Sequence, residues 1–156
     1  MKKWSLVLTA IIFVIAQLTW PVFLIFFNCK PDLLLALSIV LVFILDFKTA
    51  LVFAIFCGLL KDIFSLSPVA LNTILFSLWS YLIHKLSTQI STENDYVRLG
   101  IALIVVLLNN ITIGFLIINS GNIIPFFVFL RNLIIPTLYT VALFPLIFNL
   151  IKKITR

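Results

Sequence analysis

Lys61 and Asp62 stand side by side within an apolar run, CGLLKDIFSLSP at residues 57 to 68. A charge at the centre of a membrane helix costs roughly 2.5 to 3.5 kcal/mol on insertion scales, so this pair calls for partners or for escape to the interface. Other residues able to do chemistry are Arg131 in the last apolar stretch, the amides Gln17, Asn109 and Asn110, the single His84, and Cys29 and Cys57. His84 has neither a second imidazole nor a paired carboxylate beside it, so it reads as interfacial, and the chain as a non-enzyme without metal or cofactor. The two cysteines lack CxxC or metal-ligand spacing and read as separate packing residues.

The elements that must position these groups are membrane helices. Of the 156 residues 63% are hydrophobic and only 10% are charged, far from the balance of a soluble domain. A net charge of +6 comes from basic residues at the ends of apolar runs, with no basic stripe interleaved with stacking aromatics; nucleic acid is therefore excluded as a partner, and the lipid bilayer is the expected one. Met1-Lys2-Lys3 and the apolar run to Phe27 imitate a secretion signal, but the run is too long and no small-x-small cleavage site closes it, so an uncleaved first helix is expected.

Charges, prolines and polar clusters divide the chain into helices at about 6–27, 33–47, 50–64, 69–86, 99–118 and 123–151, forming a single transmembrane domain over 1–156. The second and third are short, spanning about 22 to 24 Å against a core of ~30 Å. A rival reading fuses these two into one tilted helix and gives five spans. With six spans and a cytoplasmic N-terminus, Lys2, Lys3, Lys48, Lys85, Arg98, Lys152, Lys153 and Arg156 fall inside and Lys30 alone lies in an outer loop. Five spans would reverse that bias, so charge favours an all-α bundle of six transmembrane helices with both termini cytoplasmic. Asp46-Phe47-Lys48 then forms a tight hairpin with Asp46 as N-cap of the third helix.

Helical rise places Asp62 about 18 Å from the cytoplasmic start of its helix and Arg131 about 12 Å from the outer start of its own, so the two depths approximately meet. The expectation is that Asp62 faces Arg131 inside the bundle while Lys61, about 100° round the helix, snorkels to the outer headgroups. Both charges snorkelling at the interface is the simpler alternative. Ala54 and Gly58 make a small-xxx-small pair that admits a close neighbour, and Asn109, Asn110, Thr112 and Gln17 must find partners at mid-depth, by interhelical hydrogen bonds or as the wall of a polar cavity. Pro136 and Pro145 should bend the last helix.

Lys30-Pro31-Asp32-Leu33-Leu34-Leu35 opening the second helix, Gly58-Leu59-Leu60-Lys61-Asp62-Ile63-Phe64-Ser65 ending the third, and Ser67-Pro68-Val69-Ala70-Leu71-Asn72 opening the fourth resemble the bacterial rod shape-determining protein MreD family. This resemblance implies a non-enzymatic inner (cytoplasmic) membrane scaffold of the cell-elongation machinery that makes peptidoglycan. Its implied partners are a bitopic protein of the MreC type, the actin homologue MreB, and the synthase pair of RodA and a class B penicillin-binding protein. Pro31, Asp32, Gly58, Asp62 and Pro68 match the family pattern and are expected to set the bundle and a partner surface. The family is also similar in fold to the six-helix S components of vitamin transporters. A small-molecule binding subunit, with Asp62, Arg131, Asn109 and Asn110 lining an outward cavity, is thus the alternative, although the first helix, LVLTAIIFVIAQ, lacks the Ala-xxx-Ala docking pattern such subunits often use.

Overall fold

A computed structural model describes residues 3–19, 29–65, 70–90, 94–119 and 125–155. Among them the chain forms six α-helices and no strand: α1 (Lys3–Leu18), α2 (Leu33–Ile44), α3 (Phe47–Ser65), α4 (Leu71–Gln89), α5 (Asp95–Asn119) and α6 (Phe126–Thr155). By length and apolarity α5 and α6 are each sufficient to cross a membrane.

The shortest helix occupies the middle. The sequence of α2, LLLALSIVLVFI, offers no polar face, and a helix apolar all round is one that neighbours enclose. Leu33 through Val42 are all buried, and α1, α3, α4 and α6 pack around them, with α5 touching as well. Leu35, Leu37, Ile39 and Leu41 of α2 share a continuous core with Phe76 and Ile83 of α4, Val106 of α5 and Ile151 of α6. The outer helices are one-sided instead. Along α4, Leu75, Phe76, Trp79 and Ile83 are buried at helical spacing while Ile74, Leu78 and Tyr81 are exposed, so one stripe meets the core and the other faces outward.

Several ends differ from the sequence expectation. The second helix stops at Ile44 rather than residue 47, and Phe47 already begins α3, because a two-residue connection suffices for the hairpin. The carbonyl of Asp46 accepts the Ala50 N–H at 2.9 Å. Phe47 stacks on His84 of α4 with ring centroids 4.6 Å apart, which gives the histidine a packing role at that end of the bundle. The fifth helix begins at Asp95 rather than 99: Arg98 donates to the Asp95 carboxylate at 2.8 Å one turn back and lies 4.8 Å over the Phe148 ring of α6, so charged residues assigned to a loop extend the helix. The fourth helix likewise runs to Gln89 and the last to Thr155, with Pro136 and Pro145 inside it. For the first helix the described stretch ends at Leu18, and the expected continuation to 27 lies outside the described residues.

Candidate functional site

At one end of the bundle the start of α2, the end of α3 and the start of α4 come together, and this junction holds the Lys61-Asp62 pair. It begins with a glycine. Gly58 is buried on α3 with its Cα against α4: a β-carbon there would lie 2.5 Å from the Thr73 Cα, 2.8 Å from the Thr73 N and 2.9 Å from the Asn72 carbonyl oxygen. Only the absence of a side chain permits that approach. Ala54, one turn earlier, is fully buried, so the small pair expected from the sequence sits on the face that contacts its neighbours.

One turn after Gly58, on the same face, comes Asp62. Its Oδ1 accepts from the Asn72 backbone N–H at 3.0 Å and from Asn72 Nδ2 at 2.8 Å, while Oδ2 accepts from the Thr73 N–H at 2.8 Å and the Thr73 hydroxyl at 2.7 Å. The first turn of any helix has backbone N–H groups without helical acceptors, and the N-cap residue of α4, Ala70, has no side chain to serve them. Asp62 therefore caps α4 from a neighbouring helix. Its negative charge faces the positive end of the α4 dipole, which supplies the compensation that a buried carboxylate requires.

This corrects the expected Asp62–Arg131 pair: both Asp62 oxygens are committed to α4, and Arg131 on α6 is exposed. The depth reckoning was sound only for helices crossing the same plane alongside one another. α3 is paired with α4 and α2, whereas α6 pairs with α5 and α2.

Lys61 is also held within the protein rather than reaching the headgroups. Its ammonium forms an ion pair with Asp32 Oδ2, the two side chains retaining 17% and 12% of their exposure, and it lies 5.2 Å from the centroid of the Phe76 ring. Asp32 is the N-cap of α2, with Oδ1 accepting the Leu35 N–H at 3.1 Å. Two further side chains complete that buried helix start: Gln17 of α1 accepts the Leu34 N–H at 3.1 Å, and Thr140 of α6 accepts the Asp32 N–H at 2.9 Å. Pro31, which has no N–H to satisfy, is fully buried in front of them. Pro68, expected to mark the entry to the fourth helix, lies outside the described residues.

The amides of α5 make two interhelical contacts. Asn109, fully buried, accepts the Trp79 indole N–H at 3.2 Å, and its own Nδ2 is buried without a hydrogen-bond partner among the described residues. Asn110 donates to Thr137 Oγ1 of α6 at 2.9 Å, and Thr112 bonds back to the Leu108 carbonyl of its own helix at 2.8 Å. Gln17, Asn109 and Asn110 thus bond across helices rather than lining a common cavity. Sequence reasoning missed Thr73, Thr140 and Trp79 as partners. A polar pair directly after Leu71, Asn72-Thr73, was the available signal for a helix start served from elsewhere.

What this junction does is mechanical: two carboxylates and a lysine fix three helix ends to one another. Beside it, Gln17, Lys30, Lys61 and Ser65 border a cleft of about 210 Å³. Neither a curated protein sequence nor a solved structure matches the chain. The family model for the rod shape-determining protein MreD matches residues 2–154, nearly the whole length, and the chain therefore belongs to the MreD family of shape-determining membrane proteins.

Proposed function

We propose that this protein is a multi-pass scaffold of the bacterial inner membrane, with six spans and both termini in the cytoplasm, which holds a bitopic MreC-type partner beside it within the cell-elongation machinery. MreB, RodA and a class B penicillin-binding protein are the further members of that complex, and peptidoglycan synthesis is the process it serves. The observation that carries this reading is the family match across residues 2–154, since the family determines rod shape. Physical features support it. The connections between α2 and α3 and between α4 and α5 are a few residues long, so the working surface is the bundle itself. Apolar side chains such as Leu8, Ile12 and Ile15 of α1, and Ile104, Leu108 and Phe115 of α5, face outward, as lipid and a neighbouring helix require. Lys48, Lys85, Lys152 and Lys153 gather at the end opposite the Lys61 junction, which the positive-inside bias assigns to the cytoplasm.

Co-purification of the tagged protein with an MreC-type partner from membranes, followed by site-specific cross-linking from outward positions on α1 and α5, tests the scaffold. Retention of the partner with cross-links on one helix face is the expected result; a folded protein that retains none sinks it. Reporter fusions at residue 156 test the topology, and a periplasmic signal there overturns it. For a vitamin-sized ligand the cleft of about 210 Å³ is small, below the ~300 to 1,000 Å³ of ordinary ligand pockets.

A further inference from the structure

The cleft beside the junction has a consistent chemistry. Lys30, exposed, and Lys61 both border it, together with the Gln17 amide and the Ser65 hydroxyl. Two acceptors nearby are already engaged: the Gln17 carbonyl oxygen takes the Leu34 N–H, which turns attention to its NH2, and Asp32 is committed to Lys61 and the Leu35 N–H. What the cleft offers is therefore one cation outside the ion pairs of the described residues, Lys30, together with donors on Lys61, whose charge Asp32 already balances, on Gln17 and on Ser65. Its other walls are apolar, formed by Val14 and Leu18 of α1 and Phe64 of α3. Donors at one side and oily walls at the other match an amphiphile with an anionic head, and do not match a free polar solute, which would leave the oily walls without a partner. At about 210 Å³ the space suits a phosphate group and the first part of a chain rather than a whole large ligand.

We propose that this cleft between α1 and the end of α3 binds the phosphate of an anionic lipid, with Lys30 as the principal charge contact, Lys61, Gln17 and Ser65 as supporting donors, and Val14, Leu18 and Phe64 against the chain. The site goes beyond the scaffold reading and does not depend on it; the proposed topology would put the lipid in the outer leaflet. A bound lipid would tie α1, which among the described residues touches little besides α2 and α3, to the rigid junction.

The test uses the full-length protein in detergent, with thermal unfolding and native mass spectrometry as readouts. The probes are phosphatidylglycerol, phosphatidylcholine and, at matched ionic strength, inorganic phosphate. Lys30→Glu is the main variant, because Lys30 lies outside the Asp32–Lys61 pair and its replacement leaves the helix caps in place. Lys85→Glu, at the far end of the molecule, controls for general charge attraction. Phosphatidylglycerol is expected to remain bound in the mass spectrum and raise the unfolding temperature above the phosphatidylcholine value. Lys30→Glu should weaken this by about thirtyfold in half-saturating lipid, given ~1 kcal/mol per charge near a lipid surface and a two-unit charge change, whereas Lys85→Glu should preserve it. Equal stabilisation by both lipids, equal loss in Lys30→Glu and Lys85→Glu, or an undiminished effect in a well-folded Lys30→Glu each overturns the site. A full effect from inorganic phosphate alone overturns the lipid as ligand. Should Lys30→Glu fold poorly, Ser65→Ala and Leu18→Ser serve in its place, and unchanged phosphatidylglycerol binding in both overturns the proposal.

Discussion

Gly58 and Thr73 meet backbone to backbone, so closely that a β-carbon on the glycine would stand 2.5 Å from the threonine Cα. This contact decides the geometry of the junction, because it sets α3 near enough for Asp62, four residues on, to reach the first N–H groups of α4.

Gly58→Ala should therefore destabilise the protein by roughly 1 to 3 kcal/mol, despite alanine's higher helix propensity, since the atoms it meets are backbone and cannot swing aside. Gly100→Ala is the contrast. Nothing lies within 4 Å of a β-carbon there, so that substitution should be neutral or stabilising by up to about 1 kcal/mol. Thermal unfolding of the two purified variants checks the pair, and similar melting temperatures would refute the close approach.

Asp62→Ala should cost about 3 kcal/mol by leaving two backbone donors at the start of α4 without an acceptor, and Asp62→Asn should cost less because one oxygen remains. In combination with Arg131→Ala the losses should add within ~0.5 kcal/mol, as they do for residues that share no partner. A coupling well above that figure would restore the Asp62–Arg131 pair.

Lys61→Met leaves the Asp32 carboxylate partly buried and unpaired, and should cost roughly 3 to 5 kcal/mol. Adding Asp32→Asn should recover much of the loss, since asparagine still caps α2 and carries no charge. A double variant as unstable as Lys61→Met would show that the ion pair is not the reason for the lysine.

Asn110→Ala and Thr137→Ala should show a coupling of only ~0.6 kcal/mol in a double-mutant cycle, the usual value for hydrogen bonds between membrane helices. Equilibrium unfolding of the two single variants and the double in mixed micelles supplies the four free energies.

How much of this was legible in the sequence depends on the range of the interaction. Six helices follow from apolar runs and their interruptions, and the Ala54–Gly58 pair shows its use in its own spacing. Helix ends were less visible where polar residues continue a helix: Asp95 and Arg98 look like loop until Arg98 is seen against Asp95 and Phe148. The need for partners for Lys61, Asp62, Gln17 and Asn110 could be stated from dielectric arguments alone. Their identity could not, because Asp32 and Lys61 are 29 residues apart and Asp32 and Thr140 are 108 apart, with no periodicity joining them. Depth along the helix axis points from Asp62 to Arg131 only if all helices are equal columns. The start of α4, which lacks its own capping side chain, acts as the counter-charge instead.

The enclosure of α2 bears on how such a chain is made. This helix precedes α6 in the chain, yet the hydroxyl that accepts the Asp32 N–H comes from Thr140, 108 residues later in synthesis. Its final environment is consequently incomplete until α6 has been translated, and a chain interrupted before α6 leaves one flank of this apolar helix without its cover.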